Sequence, residues 1–297
     1  MPSEEHERMV REVLPRFAGG PSDTMEIMRR RWDEEAARLA PADPLIRSQE
    51  TFVGGMPAAW VGVKGSTLPR SVLYVHGGGY VQGSIASYLG MAGRVARAVD
   101  GRVLLFEYRL APEHPFPAAL DDACDAYDWL VNGGVPAKDI VVMGDSAGGG
   151  LALATLLRLR DEGRAMPGAC VCFSPLADFE ASGDSAKPGA VDDPMIPAAA
   201  IPIAGGIYAP GQLRNPLVSP VFGDLTGFPP LLIFVGTREV LLDDSVRLKQ
   251  RATQAGVDAT LVVEEGLIHA WPFFGPHLPE TEESLWRVRT FLAEKCR

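Results

Sequence analysis

The chain has 297 residues, of which 46% are hydrophobic and 22% are charged. This length fits one large α/β domain or two smaller ones, and the composition is that of an ordinary globular protein. The net charge of −10 argues against a nucleic-acid-binding protein, which needs a basic surface, and no apolar stretch reaches the ~18 residues that suggest a membrane-spanning helix.

The chain begins with a helical pattern and continues as alternating strands and helices. Residues 1–40 have the pattern of two helices. The short runs that read as strands are 47–53, 58–63, 71–75, 103–107, 139–143, 168–173, 230–235 and 259–264. The helical patterns between and after them are 84–99, 117–132, 147–162, 241–255 and 280–295. Apolar strands that alternate with helices predict a mostly parallel sheet covered by helices on both faces.

The interval 175–229 departs from this alternation. It is rich in Pro, Gly and Ala, and one short helix is expected near 197–207. We therefore predict an insertion that lies over the sheet. Ligands of such sheets bind outside the carboxyl ends of the strands, so functional residues are expected in the loops that follow the strands.

The cysteines and the N-terminus bear on the compartment. The four cysteines are Cys124, Cys170, Cys172 and Cys296, and they show neither C-x-x-C spacing nor an accompanying His cluster. They are predicted to be free thiols, buried rather than paired or metal-bound. Residues 1–16 are polar and charged and contain no secretory h-region. We therefore expect a cytoplasmic protein.

A serine stands at a predicted strand-to-helix junction. Residues 144–148, Gly-Asp-Ser-Ala-Gly, match G-x-S-x-G directly after one apolar run and directly before a helical pattern. A turn this sharp crowds the positions two before and two after Ser146, which explains Gly144 and Gly148. The pattern predicts Ser146 as a nucleophile at the top of the sheet. The alternative is a serine that caps the helix beside a tight glycine turn.

A glycine-rich loop follows the strand at 71–75. Its sequence is His-Gly-Gly-Gly-Tyr, residues 76–80. We predict that the N–H groups of Gly77 and Gly78, together with that of Ala147, form an oxyanion hole, in which each donor stabilises the transition state by ~3 kcal/mol. A flexible loop or a phosphate cradle are the alternatives, but this loop lacks the Lys, Arg or G-x-G-x-x-G that a phosphate cradle needs.

The general base and its acid should follow the serine in chain order, with the acid between the other two residues. Only His269 and His277 come after Ser146, and His269 stands just past the last apolar strand. Glu239 lies closest to the end of the strand at 230–235, whereas Asp243 falls where a helix begins and is explained by the helix dipole. We predict His269 as the base and Glu239 as the acid, with Asp243 as the alternative acid.

Three segments together resemble one family. HGGGY at 76–80, GDSAGG at 144–149 and EYRLAPEHPFPAA at 107–119 are similar to motifs of the hormone-sensitive lipase-like α/β-hydrolases, the bacterial esterase family IV. The resemblance covers the chain from about residue 45 to its end. It implies an eight-stranded α/β-hydrolase fold, mostly parallel with strand 2 antiparallel, and a helical cap.

The resemblance also carries expectations about domains and function. It implies N-terminal cap helices over 1–45, a catalytic domain over 46–297 and a cap insertion at about 180–225. Family members hydrolyse esters, mostly of short acyl chains, without a cofactor, and a homodimer through the strand near 259–264 is expected. Two departures occur: the family's Asp-Pro-Leu is Glu-Val-Leu at 239–241, and its His-Gly-Phe is His-Ala-Trp at 269–271.

We therefore expect a serine carboxylesterase that acts through an acyl-enzyme on a small-molecule ester, with no cofactor, no metal, no nucleic-acid partner and no membrane span. The resemblance assigns Ser146 as nucleophile, His269 as base, and Gly77, Gly78 and Ala147 as oxyanion donors. The alternatives are an amidase, a lactonase or a deacetylase with the same triad, or a non-catalytic small-molecule receptor on the same fold. A receptor of that kind has lost the base, whereas His269 is present here.

Overall fold

A single sheet of eight strands forms the centre of the residues that the structure describes. The computed structural model describes residues 1–20, 22–39, 43–65 and 70–296, so residues 21 and 40–42 of the predicted cap segment 1–45 lie outside it. The strands are β1 (Ile46–Val53), β2 (Met56–Val63), β3 (Ser71–Val75), β4 (Arg102–Phe106), β5 (Ile140–Asp145), β6 (Ala169–Phe173), β7 (Leu231–Arg238) and β8 (Ala259–Ile268).

The strand order is β1-β2-β4-β3-β5-β6-β7-β8. β2 runs antiparallel to both of its neighbours, β1 and β4, and the other adjacent pairs are parallel. This arrangement confirms the predicted α/β-hydrolase fold with strand 2 antiparallel.

Helices cover both faces of the sheet. The larger helices are α1 (Glu4–Glu12), α3 (Met25–Leu39), α4 (Ile85–Val99), α5 (Ala118–Asn132), α6 (Ala147–Asp161), α7 (Ala200–Tyr208), α8 (Leu242–Gln254) and α10 (Pro279–Lys295), and the one-turn helices are α2 (Leu14–Phe17) and α9 (Trp271–Phe274). Consecutive residues of β5, Val141 and Val142, pack into two different apolar clusters, because successive side chains of a strand point to opposite faces. The continuous apolar runs in the sequence reflect this two-sided burial.

Three strands extend beyond their predicted ends, and one of them, β7, continues past residue 235 to Arg238. β5 continues to Asp145 because that residue still pairs with Phe173 of β6. β8 continues to Ile268, which pairs with Arg238 after an irregularity between Gly236 and Arg238. The apolar pattern stops earlier in β5 because Gly144 and Asp145 end that strand, and in β8 because Glu-Glu-Gly at 264–266 interrupts it. The extra length places residues 146 and 269 directly after their strands.

Among the described residues up to 39, three helices are present rather than the predicted two, because the first helical pattern divides at Val13 into α1 and α2. The third helix, α3, is held at the carboxyl edge of the sheet by Arg29. Its guanidinium donates to the carbonyl oxygens of Val81, at 2.7 Å, and Ala111, at 2.9 Å, and forms an ion pair with Glu113 at 2.7 Å. Helix α3 is therefore fixed over the loops where the sequence places the functional residues.

The segment between β6 and β7 contains one α-helix, α7, and the short 3₁₀ turns Asp184–Ala186 and Pro220–Phe222. The ring of Tyr208, at the end of α7, stacks on Tyr80 with centroids 3.7 Å apart. The carbonyl oxygen of Tyr208 accepts from the N–H of Phe116 at 2.7 Å. The helix expected near 197–207 is thus present, and it packs on the loop that follows β3.

The described cysteines are free thiols. Cys124, Cys170 and Cys172 are buried as predicted, and Cys296 is half-buried. Burial raises the pKa of the Cys124 thiol to about 11, which keeps it protonated at neutral pH. Within the described ranges, no helix combines the length and the apolar character that crossing a membrane demands.

Candidate active site

Ser146 forms the corner between β5 and α6. Its backbone has φ 53° and ψ −126°, which L-residues rarely adopt. Three hydrogen bonds hold this strained corner: the Ser146 N–H donates to the carbonyl oxygen of Phe173 at 2.9 Å, and the Ser146 carbonyl oxygen accepts from Gly150 at 3.1 Å and Leu176 at 2.9 Å. The side chain points into a cavity at the carboxyl edge of the sheet.

Glycine is required on both sides of this corner. A Cβ on Gly144 would overlap the carbonyl oxygen of Gly148, and a Cβ on Gly148 would overlap the carbonyl oxygens of Val75 and His76. These are backbone atoms of packed strands and loops, which cannot move aside cheaply. The steric reason inferred from the G-x-S-x-G spacing is therefore present in the structure.

His269 and Glu239 form a buried pair. The imidazole Nδ1 lies 3.1 Å from Glu239 Oε2, and the two side chains are 2% and 0% exposed. Burial on its own lowers the pKa of His269, but the hydrogen bond and charge of Glu239, with the charges of Asp193 and Asp145, raise that pKa above its ordinary value. Because Nδ1 is engaged by Glu239, Nε2 is the ring nitrogen left for the cavity that His269 and Ser146 both line.

Asp243, the alternative acid, has other partners. Its carboxylate accepts from the N–H of Ser185 at 2.8 Å, and its own N–H donates to Ser185 Oγ at 3.1 Å. These bonds hold the first turn of α8 against the 3₁₀ turn at 184–186. The structure therefore brings Glu239 to His269 and places Asp243 in the attachment of the inserted segment.

The structure contradicts the prediction of Gly77 as an oxyanion donor. The Gly77 N–H donates to the hydroxyl of Tyr88 at 2.9 Å and to Asp145 Oδ1 at 3.3 Å, both of them buried. An amide that already points into the protein is not available to a substrate. Gly78 and Gly79 instead line the cavity, and no described residue accepts a hydrogen bond from either N–H.

The third predicted donor, Ala147, is the first residue of α6. The first N–H groups of a helix have no acceptor within it, and they lie at the positive end of the helix dipole. The Ala147 N–H is therefore left without an acceptor inside the helix, next to Ser146.

Asp145 fixes the loop that carries these donors. Its Oδ1 accepts from Tyr74 at 2.9 Å, and its Oδ2 accepts from Tyr88 at 2.8 Å. Burial raises the pKa of Asp145 to about 6, although the hydrogen bonds from Tyr88 and Tyr74 act in the opposite direction. A Cβ on Gly77 would overlap Asp145 Oδ2. Only glycine at this position therefore allows the carboxylate to lie against the loop.

His76 has a structural role in the same loop. Its Nδ1 lies 2.8 Å from the carbonyl oxygen of Gly77, and its ring stacks on Tyr108 with centroids 4.1 Å apart. Burial lowers the pKa of His76 to about 4. The imidazole is therefore neutral at pH 7 and braces the glycine loop.

The cavity that Ser146 lines has a volume of about 190 Å³. Apart from Ser146, His269 and the glycine loop, its walls are mainly apolar. They include Trp32, Tyr88, Leu176, Met195, Ile196, Ala200, Ile201, Ala204, Leu241, Ala270, Phe273 and Phe274. The aromatic side chains come from α3, α4 and α9, and the aliphatic ones come mainly from the segment between β6 and β7.

Comparison with known proteins agrees with this geometry. Residues 72–273 match the family described as alpha/beta hydrolase fold. The crystal structure of an esterase from the bacterial hormone-sensitive lipase family superposes with a TM-score of 0.94 at 40% identity and covers 100% of both chains. This chain belongs to the hormone-sensitive lipase family of α/β-hydrolases. The resemblance inferred from the sequence motifs is thereby confirmed.

Relatives in this family have named activities. An acetyl-hydrolase of Streptomyces hygroscopicus is 41% identical over 224 residues, which cover 75% of each chain. An esterase of Acinetobacter venetianus is 31% identical over 260 residues, which cover 87% of this chain and 86% of that protein. Both similarities extend over most of the two sequences compared.

Proposed function

We propose that the protein hydrolyses esters of short acyl chains, with Ser146 as nucleophile, His269 as general base and Glu239 as the acid that orients the base. A serine carboxylesterase is the activity that the family and its named relatives support. The observation that carries the residue assignment is the buried pair of His269 and Glu239, 3.1 Å apart, at the cavity that holds Ser146.

The chemistry is an acyl transfer in two steps. His269 Nε2 accepts the proton of Ser146 as Oγ attacks the ester carbonyl carbon, and Glu239 stabilises the imidazolium that forms. The pKa of His269 is raised, which makes the imidazole a stronger base for accepting the serine proton. The bond between the tetrahedral carbon and the alkoxy oxygen then breaks, and the alcohol leaves with the proton from His269. In the second step His269 accepts a proton from water as the water attacks the carbonyl carbon of the acyl-enzyme. The bond to Ser146 Oγ then breaks, Ser146 regains its proton from His269, and the acid leaves.

The oxyanion of the intermediate is bound by backbone amides. We assign Gly78, Gly79 and Ala147 as the donors, because the first two face the cavity and the third begins α6. Asp145 and Tyr88 fix the loop beforehand by binding Gly77. Donors fixed in this way need no reorganisation as negative charge develops, which is the main advantage of such sites.

The cavity size supports a preference for short acyl chains. Its volume of about 190 Å³ is below the roughly 300–1,000 Å³ of sites for drug-sized ligands. The ring of Trp32 lines this cavity and stacks on Phe273 with centroids 5.5 Å apart, and Trp32 is 6% exposed. The relative named acetyl-hydrolase points to the same substrate class.

We expect Trp32→Leu to shift the preference toward longer acyl chains, because the smaller side chain enlarges the apolar part of the cavity that Trp32 lines. The measurement is kcat/KM for p-nitrophenyl acetate, butyrate, hexanoate and octanoate. The octanoate-to-acetate ratio should rise at least about tenfold, which corresponds to ~1.4 kcal/mol of discrimination. Trp286→Leu, at a tryptophan that is 63% exposed on α10, is the matched control. An unchanged ratio in Trp32→Leu would exclude this residue as the limit on chain length.

We propose that α1–α3 and the segment at about 180–225 act together as the cap over the catalytic domain. Trp32 of α3 and Ile201 of α7 line the same cavity. Arg238 supports this arrangement, because it contacts Glu7 of α1 at 3.4 Å and Asp192 of the inserted segment at 3.3 Å.

We also propose a homodimer through β8. β8 is an edge strand, paired with β7 alone, and Val263 on it is 45% exposed. We expect light scattering after size exclusion to give a dimer mass, and Val263→Arg to give a monomer. Phe52→Arg, on the opposite edge strand β1 where Phe52 is 64% exposed, is the matched control and should remain dimeric. A monomer mass for the unaltered chain would reject the dimer.

The cytoplasm is the compartment that we propose. Cys170 and Cys172 remain unbonded thiols with sulfur atoms 3.7 Å apart, and a reducing compartment preserves such thiols. Recovery of the enzyme in a periplasmic or culture-medium fraction would contradict this location.

A further inference from the structure

A second serine lies beside the proposed acid and base. Ser174 directly follows β6 and is fully buried. Its backbone has φ 48°, in the left-handed region that non-glycine residues rarely adopt, and its N–H donates to the carbonyl oxygen of Phe234 at 2.7 Å. A strained and buried position of this kind persists only where the surrounding structure fixes it.

The hydroxyl of Ser174 connects the loop of the acid to the loop of the base. Ser174 Oγ donates to Glu239 Oε1 at 2.8 Å and accepts from the N–H of Ala270 at 3.1 Å. Ala270 is the residue after His269, and it also has a left-handed backbone, with φ 47°. One hydroxyl therefore bonds to the side chain of the acid and to the backbone beside the base.

These bonds determine how the carboxylate is oriented. Glu239 Oε1 receives two donors, the Ser174 hydroxyl and the Gly236 N–H at 2.6 Å, and Oε2 is left for His269. Without the hydroxyl, the carboxylate would be able to pivot about the single bond from Gly236. The Ala270 N–H would lose its acceptor as well, so both partners of the pair would become less well fixed.

We propose that Ser174 is a positioning residue that holds Glu239 and His269 in their mutual geometry for ester hydrolysis, an inference that rests on the function proposed above. It does not line the cavity, so it acts through Glu239 and not on the substrate. A structural role alone would affect the stability of the fold and leave the properties of His269 unchanged.

The titration of His269 separates these two roles. Burial lowers its pKa, and the carboxylates that face it and raise the pKa are Glu239 from the loop after β7, Asp193 from the inserted segment and Asp145 at the end of β5. If the Glu239 carboxylate pivots away, its hydrogen bond and charge no longer offset the effect of burial, which lowers the pKa of His269. The pKa of His269 should therefore fall in a variant without the hydroxyl.

The experiment compares Ser174→Ala and Ser174→Gly with the unaltered chain. The pKa of His269 is measured by NMR titration, and among the signals of the five histidines that of His269 is identified by its absence in His269→Gln. In both variants we expect a lower pKa and an about tenfold lower kcat with KM unchanged, the fold-change that corresponds to one lost hydrogen bond to a charged group. Ser174→Gly relieves the backbone strain, so an equal loss in both variants assigns the effect to the hydroxyl.

Ser71→Ala is the matched control. Ser71 is also fully buried, and its Oγ accepts from Arg102 Nε at 3.1 Å, but it starts β3 at the opposite edge of the sheet. In the Ser71→Ala variant, the pKa of His269 and kcat should equal those of the unaltered chain. An unchanged His269 pKa in Ser174→Ala, or a normal kcat in Ser174→Gly, would overturn the inference. Absence of ester hydrolysis in the unaltered chain would overturn the proposed function instead, and the titration would still decide the role of Ser174.

Discussion

Replacing Ser146 with alanine is expected to lower kcat for p-nitrophenyl butyrate by at least about 10⁴-fold, because removal of a triad nucleophile leaves only the contribution of the oxyanion hole and of binding. KM should change little, since the apolar walls of the cavity remain. Alanine retains the Cβ that the corner already accommodates, so the variant should fold. Initial rates and a thermal unfolding midpoint measure both properties.

Ser71→Ala, which removes a buried hydroxyl at the opposite edge of the sheet, should keep normal rates in the same assay. A Ser146→Ala rate within tenfold of the unaltered chain would mean that another group attacks the ester. Absence of hydrolysis by the unaltered chain would favour the receptor alternative raised by the sequence.

Loss of the proposed acid should have the second largest effect. We expect Glu239→Ala to lower kcat by about 10⁴-fold, the size of the loss caused by removing triad acids in other serine hydrolases. The fully buried carboxylate makes the hydrogen bond to His269 Nδ1, so its removal leaves the imidazolium without a counter-charge. The pKa of His269 should fall at the same time, because burial then dominates.

Asp243→Ala separates the two carboxylates that the sequence left open. Asp243 binds Ser185 and not His269, so kcat should stay within threefold of the unaltered chain. The unfolding midpoint should fall, because the buried Ser185 loses the acceptor of its N–H. A larger loss of kcat in Asp243→Ala than in Glu239→Ala would reverse the assignment.

The mostly parallel sheet and the Ser146 corner were predictable because both depend on local rules. Apolar runs that alternate with helical patterns determine a parallel sheet. The spacing of Gly144 and Gly148 around Ser146 follows from steric overlap with backbone atoms. Such rules require no knowledge of which distant segment packs nearby.

The oxyanion loop shows where local rules stop being sufficient. Three consecutive glycines offer three similar amides, and the choice among them depends on Asp145 and Tyr88 from two other segments. These two residues occupy the Gly77 N–H and leave Gly79 to face the cavity. The sequence alone therefore could not tell which of the three glycines face the cavity.

Ser174 and Trp32 were missed for a related reason. Ser174 follows an apolar strand, lies outside the HGGGY, GDSAGG and EYRLAPEHPFPAA motifs, and has its proposed role only through contact with Glu239 and Ala270. Trp32 lies in a helical pattern that precedes the sheet, and it reaches the cavity because Arg29 fixes α3 there. Both roles arise from contacts between segments far apart in the chain.

The central claim is that Ser146 is an activated nucleophile, and its most direct test is covalent labelling with a fluorophosphonate followed by peptide mass spectrometry. We expect a single phosphonyl adduct on Ser146, formed as hydrolysis is lost, and much slower labelling in His269→Ala. Complete loss of hydrolysis with an adduct on any other residue, or hydrolysis that persists without modification of Ser146 once labelling is complete, would contradict the account.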